Sequence, residues 1–317
     1  MNSPQFTTRD SSTALVSVVI PTKGRPIIVQ RAVKSVLNQT LQQLELIVVV
    51  DGEDSETVAG LESLNDKRLC ILTLPESLGG AEARNIGVRK AHADWIAFLD
   101  DDDEWLPNKL ERQLACARTS RARLPVVCSA YIGRSDAGDA PFGRRAPVPS
   151  EPISDYMFCR MGFSYGENAI ATSVLFVPRE LMISVPFDPD LRRHQDWDWA
   201  LRALNTPGAA LCYIAEPLSI YNMPENLLRL SEHDDWKYSL NWCRARRNYF
   251  TSRAISFFIA TECLTRARQG KADYKSIWGL IVAYWSEGRP TFRSALLGLS
   301  YVVIPRRLRR LILRFRP

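Results

Sequence analysis

The sequence predicts a doubly wound α/β fold, in which helices cover both faces of a largely parallel sheet. Two observations support this prediction. Short apolar runs rich in Val and Ile recur through the first hundred residues, and each has the length of a strand buried on both faces. Stretches of helical periodicity separate these runs, so strands and helices alternate along the chain.

The predicted elements follow in chain order. Strands are expected at 16–20, 44–50, 69–74 and 95–99, and helices between them at 27–38, 56–64 and 81–91. A Gly-, Pro- and Arg-rich segment at 133–152 is typical of a mobile loop, and it precedes a strand at 171–177 and a helix at 197–204. Beyond residue 225, helical segments at 234–250, 254–268 and 273–286 predict a helical appendage.

The charge of the chain is concentrated in its tail. The formal net charge is +6, while the last twelve residues contain six arginines and no acidic side chain. A basic face spread over the fold is therefore not expected, and we expect no nucleic-acid partner. The first residues lack a secretory pattern, and no apolar stretch reaches the roughly 20 residues that cross a bilayer, which together predict a cytoplasmic protein.

Four consecutive aspartates, Asp100 to Asp103, follow the fourth predicted strand and are called the acidic quartet below. Carboxylates crowded at a strand end repel one another unless a cation or solvent compensates their charge. Mg²⁺ or Mn²⁺ suits such sites and often binds through one or two carboxylates together with substrate phosphates. The pattern therefore favours a divalent cation and a diphosphate substrate. A solvated turn, with Asp103 capping the helix after Pro107, is the alternative interpretation.

Polar or turn-forming residues also follow two other predicted strands. They are Pro21, Thr22, Lys23, Gly24 and Arg25 after the first strand, and Asp51 and Gly52 after the second. Ligands of doubly wound sheets bind outside the carboxyl ends of the strands. We therefore expect these residues and the acidic quartet to converge on one crevice.

A second acidic cluster, Asp196 and Asp198, lies at the start of the predicted helix 197–204. Asp198 and Arg202 are four positions apart and predict an ordinary helical ion pair. Asp196 has no basic residue four positions further along the predicted helix. From the pattern alone it is either a general base or an aspartate stabilised by the helix dipole.

Five motifs follow one another along the chain. They are VSVVIPTKGR, IVVVDG, AEARNIG, WIAFLDDDDEWLPNKLE and HQDWDWALR. In sequence and order these motifs resemble those of the family 2 nucleotide-sugar glycosyltransferases. The resemblance implies the glycosyltransferase A fold, a Rossmann-like doubly wound mixed sheet. It also implies inverting transfer of a sugar from a UDP or dTDP donor to a hydroxyl of a glycan or lipid-linked acceptor, in cell-surface polysaccharide synthesis.

The resemblance further implies roles for single residues. Nucleotide binding is implied for Pro21, Thr22, Lys23, Arg25, Asp51, Arg84, Asp100 and Asp101. Among these, Asp51 would accept a hydrogen bond from the uracil or thymine imide. Asp102 would coordinate the Mg²⁺ or Mn²⁺ that bridges the phosphates. Asp196 matches the general base of the family, so the resemblance favours that interpretation over the helix-dipole one.

The aromatic residues and two departures from the family complete the expected site. Trp105, Trp197 and Trp199 are candidates for a flat acceptor surface, although large aromatic side chains more often belong to the core. Many relatives have two aspartates where this chain has only Asp51, and some have a histidine metal ligand in the segment that corresponds to 219–222. Metal coordination is therefore expected to rest on Asp102, phosphates and water.

The resemblance also sets the expected domain boundaries. Residues 1–14 form a disordered tail, and residues 15–225 form the glycosyltransferase domain, with a nucleotide-binding half at 15–110 and an acceptor half at 111–225. Residues 226–317 form the helical C-terminal region. Its last part, 305–317, has the pattern of a basic interfacial helix, which binds either its own domain or an anionic membrane at the inner face of the plasma membrane.

Two other function classes remain open from the sequence. A metal-dependent phosphohydrolase would use Asp100 and Asp102 as a strand-end DxD motif, although such enzymes usually place that motif on the first strand. A catalytically silent sugar-binding protein would keep the fold and bind nucleotide or glycan without turnover.

Overall fold

The structure is a computed structural model that describes residues 14–136, 138–162, 166–168, 170–223 and 235–303. Its described residues fall into two compact units. The first unit is drawn from Met1–Ala146 and Asn168–Leu227, and the second from Pro147–Glu167 and Leu228–Pro317. The predicted N-terminal tail, apart from residue 14, and the basic tail 305–317 lie outside the described residues.

Nine strands of the described residues form one mixed sheet in the first unit. They are β1 (Val16–Thr22), β2 (Leu44–Val50), β3 (Leu69–Thr73), β4 (Trp95–Phe98), β5 (Glu104–Trp105), β6 (Leu124–Ser135), β7 (Gly138–Phe142), β8 (Phe176–Pro178) and β9 (Ala209–Asn222). The order is β3-β2-β1-β4-β8-β6-β9-β5, with β7 beside β6. The four strands β3, β2, β1 and β4 are parallel, and β8 is antiparallel to both of its neighbours. The predicted doubly wound mixed sheet is confirmed.

Helices are numbered along the whole chain. Those of the first unit are α1 (Ile28–Leu37), α2 (Ser55–Glu62), α3 (Gly80–Lys90), α4 (Lys109–Thr119), α6 (Arg179–Ser184) and α7 (Gln195–Ala203). All residues of β1 and β2 are buried, as expected of strands covered on both faces. Helix α3 lies close to β1, because a Cβ atom on Gly87 would come within 2.4 Å of a Val19 methyl carbon. This close approach positions α3, and with it Arg84, near the carboxyl end of the sheet.

Part of the loop predicted at 133–152 is a β-hairpin. Strand β6 continues to Ser135 and pairs with β7 in antiparallel register. The rings of Tyr131 and Phe142 stack across the pair, with centroids 5.4 Å apart, and Gly138 adopts a φ of 109° at the turn. Turn-forming residues dominate this segment in the sequence, whereas cross-strand ring packing stabilises the strands in the structure.

The second unit is helical. Its helices are α5 (Ile153–Phe158), α8 (Trp236–Ala245), α9 (Ser252–Phe258), α10 (Leu264–Gln269), α11 (Tyr274–Ser286) and α12 (Phe292–Val303), with a π-helical turn at Ile259–Cys263. Phe158 of α5 stacks on Phe250 at 5.0 Å and contacts Trp242 and Phe258 edge-on. Because this aromatic cluster holds α5, residues 147–167 group with the helical unit instead of the domain predicted at 15–225.

No helix within the described ranges is both long enough and apolar enough to cross a bilayer.

Candidate functional site

The ends of β1 and β4 meet at the acidic quartet. Asp101 accepts hydrogen bonds from the Thr22 hydroxyl at 2.7 Å and from Arg25 Nη1 at 2.7 Å. The same Arg25 nitrogen lies 3.3 Å from Asp102 Oδ2. Burial opposes the charge of Arg25, but Asp101 and Asp102 outweigh it and raise the pKa of the guanidinium. The predicted convergence of these two strand ends is therefore observed.

Asp103 connects the acidic quartet to two residues that are distant in the sequence. Its buried carboxylate accepts hydrogen bonds from the Ser173 hydroxyl at 2.6 Å and from the Asn222 backbone N–H at 3.0 Å. Burial, followed by repulsion from Asp100 and Asp102, raises the pKa of Asp103 well above its usual range. Helix α4 begins after Asn108, so the alternative that Asp103 caps this helix is wrong.

Asp51 organises the loop that leads into α3. Its carboxylate accepts hydrogen bonds from the Ser77 hydroxyl at 2.9 Å and from the backbone N–H groups of Leu78 and Gly79 at 2.6 and 3.0 Å. Ser77 in turn accepts a hydrogen bond from Lys23 Nζ at 2.9 Å. The ends of β1 and β2 are thus tied to the start of the helix that presents Arg84. Pro21 is buried within β1.

Arg84 connects the acidic quartet to α7. Its Nη2 donates to Asp100 Oδ1 at 2.5 Å, and its Nη1 donates to Gln195 Oε1 at 3.0 Å. The guanidinium also lies 5.6 Å from the centroid of the Phe187 ring. This single side chain therefore brings the second acidic cluster to the same edge of the sheet as the first.

Asp196 occupies the first turn of α7 and is half-buried. Burial raises the pKa of this carboxyl to about 6, and the charge of Asp100 adds to the rise. A hydrogen bond from the Trp197 backbone N–H and the charge of Arg84 act in the opposite direction. Asp196 is thus a carboxylate within electrostatic range of the quartet that changes charge close to neutral pH.

Asp198 and Arg202 form the predicted helical ion pair, with Arg202 Nε 2.7 Å from Asp198 Oδ2. Arg202 also donates to the Pro186 carbonyl at 2.8 Å. The prediction of an ordinary i, i+4 pair is confirmed, and the fully buried Asp198 fixes the orientation of α7.

The structure removes two tryptophans from the acceptor candidates. Trp105 is only 4% exposed, and its indole N–H donates to the Ser173 carbonyl at 2.9 Å. Trp199 is fully buried and donates to the Val185 carbonyl at 2.8 Å. Both are core residues, so the expectation of an acceptor surface is wrong for them. Trp197 is half-buried and stacks on His194, with ring centroids 4.9 Å apart.

Within the described part of the chain, no group of three or more His, Cys, Asp or Glu side chains is arranged to hold a metal ion. The donor set still suits a cation that takes most of its ligands from phosphates and water. The Asp102 side chain is 27% exposed, so its carboxylate is accessible to a ligand from solvent. Burial first, and then the charges of Asp100 and Asp102, raise the pKa of Asp103, and a cation beside Asp102 would reduce the second of these effects.

Three residues of the site were not predicted from the sequence. Ser173 bonds to two members of the quartet, since its hydroxyl also accepts from the Asp100 backbone N–H at 3.1 Å. Asn222 donates from Nδ2 to the Asp102 carbonyl at 2.7 Å, and so the segment 219–222 does contact the quartet without a histidine. Gln195 bonds to Arg84 as described. These partners lie between 70 and 120 residues away in the chain, and no local pattern marks them.

Comparison with known proteins identifies the family. The sequence profile described as "Glycosyl transferase family 2" matches residues 17–173. The amylovoran biosynthesis glycosyltransferase AmsB of Erwinia amylovora is 28% identical over 269 residues, which cover 82% of this chain and 86% of that relative. The GalNAc(5)-diNAcBac-PP-undecaprenol beta-1,3-glucosyltransferase of Campylobacter jejuni is 31% identical over 292 residues, which cover 84% of this chain and 93% of that relative.

A solved structure supports the fold. S. aureus TarS, residues 1–349 in complex with UDP-GlcNAc, superposes with a TM-score of 0.58 at 14% identity, and the match covers 89% of this chain and 83% of that chain. This likeness supports the predicted glycosyltransferase A fold. The match to the Campylobacter relative extends over most of both chains and therefore identifies the family. This family assignment argues against the phosphohydrolase alternative. The chain belongs to glycosyl transferase family 2 and is a glycosyltransferase.

Proposed function

We propose that this glycosyltransferase moves a sugar from a UDP or dTDP donor to a hydroxyl of a glycan or lipid-linked acceptor, with inversion, during synthesis of a cell-surface polysaccharide. The relatives support these substrate classes. The name of the Campylobacter relative includes an undecaprenol diphosphate glycan, and the name of the Erwinia relative includes amylovoran biosynthesis. The TarS structure contains UDP-GlcNAc.

The observation that carries the proposal is the position and pKa of Asp196. A general base works best when its pKa lies near the operating pH, and burial together with Asp100 raises the pKa of Asp196 to about 6. The carboxylate is ionised at neutral pH and still basic enough to accept a proton in the transition state. Its connection to Arg84 through Gln195 places it beside the residues that would hold the donor.

The proposed reaction is a direct displacement. Asp196 takes the proton of the acceptor hydroxyl while the hydroxyl oxygen bonds to the anomeric carbon of the donor. The bond between that carbon and the donor phosphate oxygen breaks, and its electron pair leaves with the nucleoside diphosphate. Attack from the face opposite the leaving group inverts the anomeric centre. Trp197, half-buried beside Asp196, is the proposed acceptor surface.

The nucleotide would occupy the crevice at the ends of β1, β2 and β4. Its proposed contacts are Pro21, Thr22, Lys23, Arg25, Asp51, Arg84, Asp100 and Asp101. An ionised carboxylate offers about four acceptor directions, and Asp51 uses three of them for its own loop. One direction remains for the imide N–H of uracil or thymine.

Asp102 is the residue proposed to hold Mg²⁺ or Mn²⁺, with the donor phosphates and water as further ligands. Such a cation, when bound, would stabilise the negative charge that develops on the leaving diphosphate. Arg25 would stay close to Asp102 and limit its side-chain rotation, since their charged atoms are 3.3 Å apart.

The proposed location follows from the acceptor class. We place the protein on the cytoplasmic side, peripheral at the inner face of the plasma membrane, because a lipid-linked acceptor is confined to the bilayer. The sequence of the tail, with six arginines in its last twelve residues, favours an anionic surface.

A panel of UDP and dTDP sugars tests the proposal. We expect one donor to raise the melting temperature in the presence of Mn²⁺ and to be hydrolysed slowly without acceptor, with both effects lost in EDTA. A donor that raises the melting temperature but is neither hydrolysed nor used in transfer would instead indicate a catalytically silent sugar-binding protein. If neither UDP sugars nor dTDP sugars raise the melting temperature, the proposed donor class is rejected.

A further inference from the structure

Helix α11 presents a large apolar surface to solvent. Tyr274, Trp278, Val282 and Trp285 are 80%, 56%, 49% and 65% exposed. Their spacing of four, four and three positions places them on one face of the helix. The opposite face is buried through Leu280, Ala283 and Tyr284. Aromatic side chains this large are rarely left in water on several successive turns.

Helix α12 repeats this arrangement. Phe292, Leu296 and Leu299 are 85%, 38% and 59% exposed at spacings of four and three positions. The helix is buried on its other side, where Leu297 is 1% exposed and a Cβ atom on Gly298 would lie 3.2 Å from Ala260.

The two exposed faces point away from the same support. Both α11 and α12 contact α9, α10 and the π-helical turn Ile259–Cys263. The buried hydroxyls of Tyr284 and Ser294 are 2.7 Å apart and join the two helices directly. Each of the two helices therefore presents its apolar side away from this shared support. We call the residues Tyr274, Trp278, Val282, Trp285, Phe292, Leu296 and Leu299 the apolar face.

Four basic residues lie close to members of the apolar face in the sequence. Lys271, Lys275, Arg289 and Arg293 are all exposed. Two acidic side chains occur in the same stretch, and both are engaged. Asp273 caps α11 through the Ser276 backbone N–H at 2.7 Å, and Glu287 accepts from Arg244 Nη2 at 2.5 Å. The surface therefore combines exposed aromatic rings with a positive field.

We propose that the apolar face docks on an anionic lipid bilayer, with its rings inserted at the level of the headgroups and the four basic side chains against the lipid phosphates. Trp and Tyr are the residues that favour the boundary between hydrocarbon and water. Lys and Arg near that boundary are attracted by anionic lipids. The surface is distinct from the tail 305–317, and it does not depend on the donor chemistry proposed above.

The charge distribution favours a bilayer over a second copy of the chain. An interface between two apolar faces would bring two sets of exposed Lys and Arg side chains together, and their repulsion would oppose association. An anionic bilayer supplies the charge opposite to that of these four side chains. The chain continues from α12 into residues 305–317, whose sequence contains six arginines and no acidic residue.

Vesicle flotation of the full chain tests the proposal. The probes are vesicles of phosphatidylcholine with and without phosphatidylglycerol, and the variant is Trp278→Ser with Trp285→Ser. We expect the partition coefficient on the mixed vesicles to fall at least tenfold in the variant, because two interfacial anchors are lost. Ile183→Ser is the matched control, since Ile183 is 49% exposed on α6 in the other unit, and we expect it to bind like the wild type.

A second measurement does not depend on the variant. Brominated lipid quenches tryptophan fluorescence at short range, so part of the wild-type emission should be quenched on brominated anionic vesicles. Equal flotation of variant and wild type would overturn the proposal, as would flotation that a truncation after Val303 abolishes and the tryptophan variant leaves unchanged. A wild-type dimer without vesicles that the variant converts to a monomer would assign the face to a second copy. Donor hydrolysis in solution reports separately on the proposed function.

Discussion

Arg84 Nη2 donates to Asp100 Oδ1 at 2.5 Å, and this ion pair joins α3 to the end of β4. Through its other terminal nitrogen the same guanidinium holds Gln195, the residue before Asp196. Arg84 and Asp100 also have opposite effects on the pKa of Asp196, which Asp100 raises and Arg84 lowers. One ion pair thus links the proposed donor site to the proposed base and sets the charge around both.

Replacement of Arg84 by Gln should move the pH dependence of the enzyme. Without the guanidinium, the pKa of Asp196 is expected to rise above about 6, because the charge that lowers it is lost while Asp100 remains. The acidic limb of kcat/KM against pH should therefore shift to higher pH. Arg84→Lys keeps the charge and should shift the limb less. An unchanged acidic limb in Arg84→Gln would show that the charge of Arg84 does not affect the pKa of the base.

Replacement of Asp196 by Asn should abolish proton transfer. General base catalysis contributes about 10²- to 10⁴-fold, so kcat is expected to fall by that range while donor affinity stays nearly constant. The wild-type kcat/KM should rise with pH through a midpoint of about 6, and the residual activity of the variant should lose that limb. Asp190→Asn makes the same chemical change on an exposed residue of the preceding loop and should be silent. Turnover retained in Asp196→Asn would reject the role of base.

The same Asp196→Asn variant should be more stable than the wild type at neutral pH. Folding raises the pKa of the Asp196 carboxyl from 3.8 to about 6. Ionisation of this carboxyl therefore destabilises the folded state relative to the unfolded state. The wild type therefore loses stability as pH rises from about 4 to about 6, whereas the Asn side chain stays neutral. The gain above pH 6 should reach up to about 3 kcal/mol, reduced by solvent because Asp196 is only half-buried.

Urea unfolding of both proteins at pH 4 and pH 7.5 measures this difference. The two curves should coincide within error at pH 4 and separate at pH 7.5. An equal difference at both pH values would show that the effect comes from packing and not from the charge of Asp196.

Ser173→Ala should destabilise the acidic quartet. The Ser173 hydroxyl donates to Asp103 and accepts from the Asp100 N–H, so its removal leaves a buried carboxylate short of a donor. The expected loss is about 1–3 kcal/mol in the free energy of unfolding. Ser129→Ala is the matched control, because the buried Ser129 hydroxyl has no hydrogen-bond partner among the described residues, and its loss should be near neutral. Equal effects of the two variants would contradict the role of Ser173.

The parts of the fold that the sequence predicts are those with a strong local pattern. Strand β2 was predicted at 44–50 and is observed at Leu44–Val50, and α1 and α3 differ from their predicted ranges by one residue at each end. The long strands β6 and β9 were not predicted, because polar residues and prolines interrupt their apolar pattern. Their pairing register shifts between Ser129 and Ala130 and again between Ala130 and Ile132, which a period of two does not reveal.

The candidate site likewise contains residues that the sequence predicts and partners that it does not. The acidic quartet and Asp196 are visible as local clusters of charge, and each lies beside the strand or helix expected to present it. The partners that decide what each carboxylate does come from distant segments, such as Asn222, whose backbone N–H bonds to Asp103 across 119 positions. The burial of Trp105 and Trp199 is likewise a property of the packed core, and aromatic residue type alone does not distinguish a core ring from a binding surface.

Asp102→Asn should separate metal-dependent from metal-independent nucleotide binding. The substitution keeps the size of the side chain and removes the charge proposed to hold the cation, so affinity for Mn²⁺ in the presence of UDP should fall at least tenfold. Transfer should fall about 10²- to 10³-fold, as expected when one stabilising contact to the developing charge is lost. Binding of UDP in EDTA should change little, because the proposed base and ribose contacts lie on other residues.

Asp139→Asn is the control for the loss of an arginine-paired carboxylate. Asp139 lies 3.3 Å from Arg134, the same separation as between Asp102 and Arg25, but it belongs to β7 and not to the acidic quartet. Manganese binding followed by electron paramagnetic resonance, with calorimetry for UDP, distinguishes the two variants. If Asp102→Asn binds Mn²⁺ and UDP as tightly as Asp139→Asn does, the cation is held elsewhere. In that case the half-buried carboxylate of Asp102 would contribute to the position of Arg25 and not to cation binding.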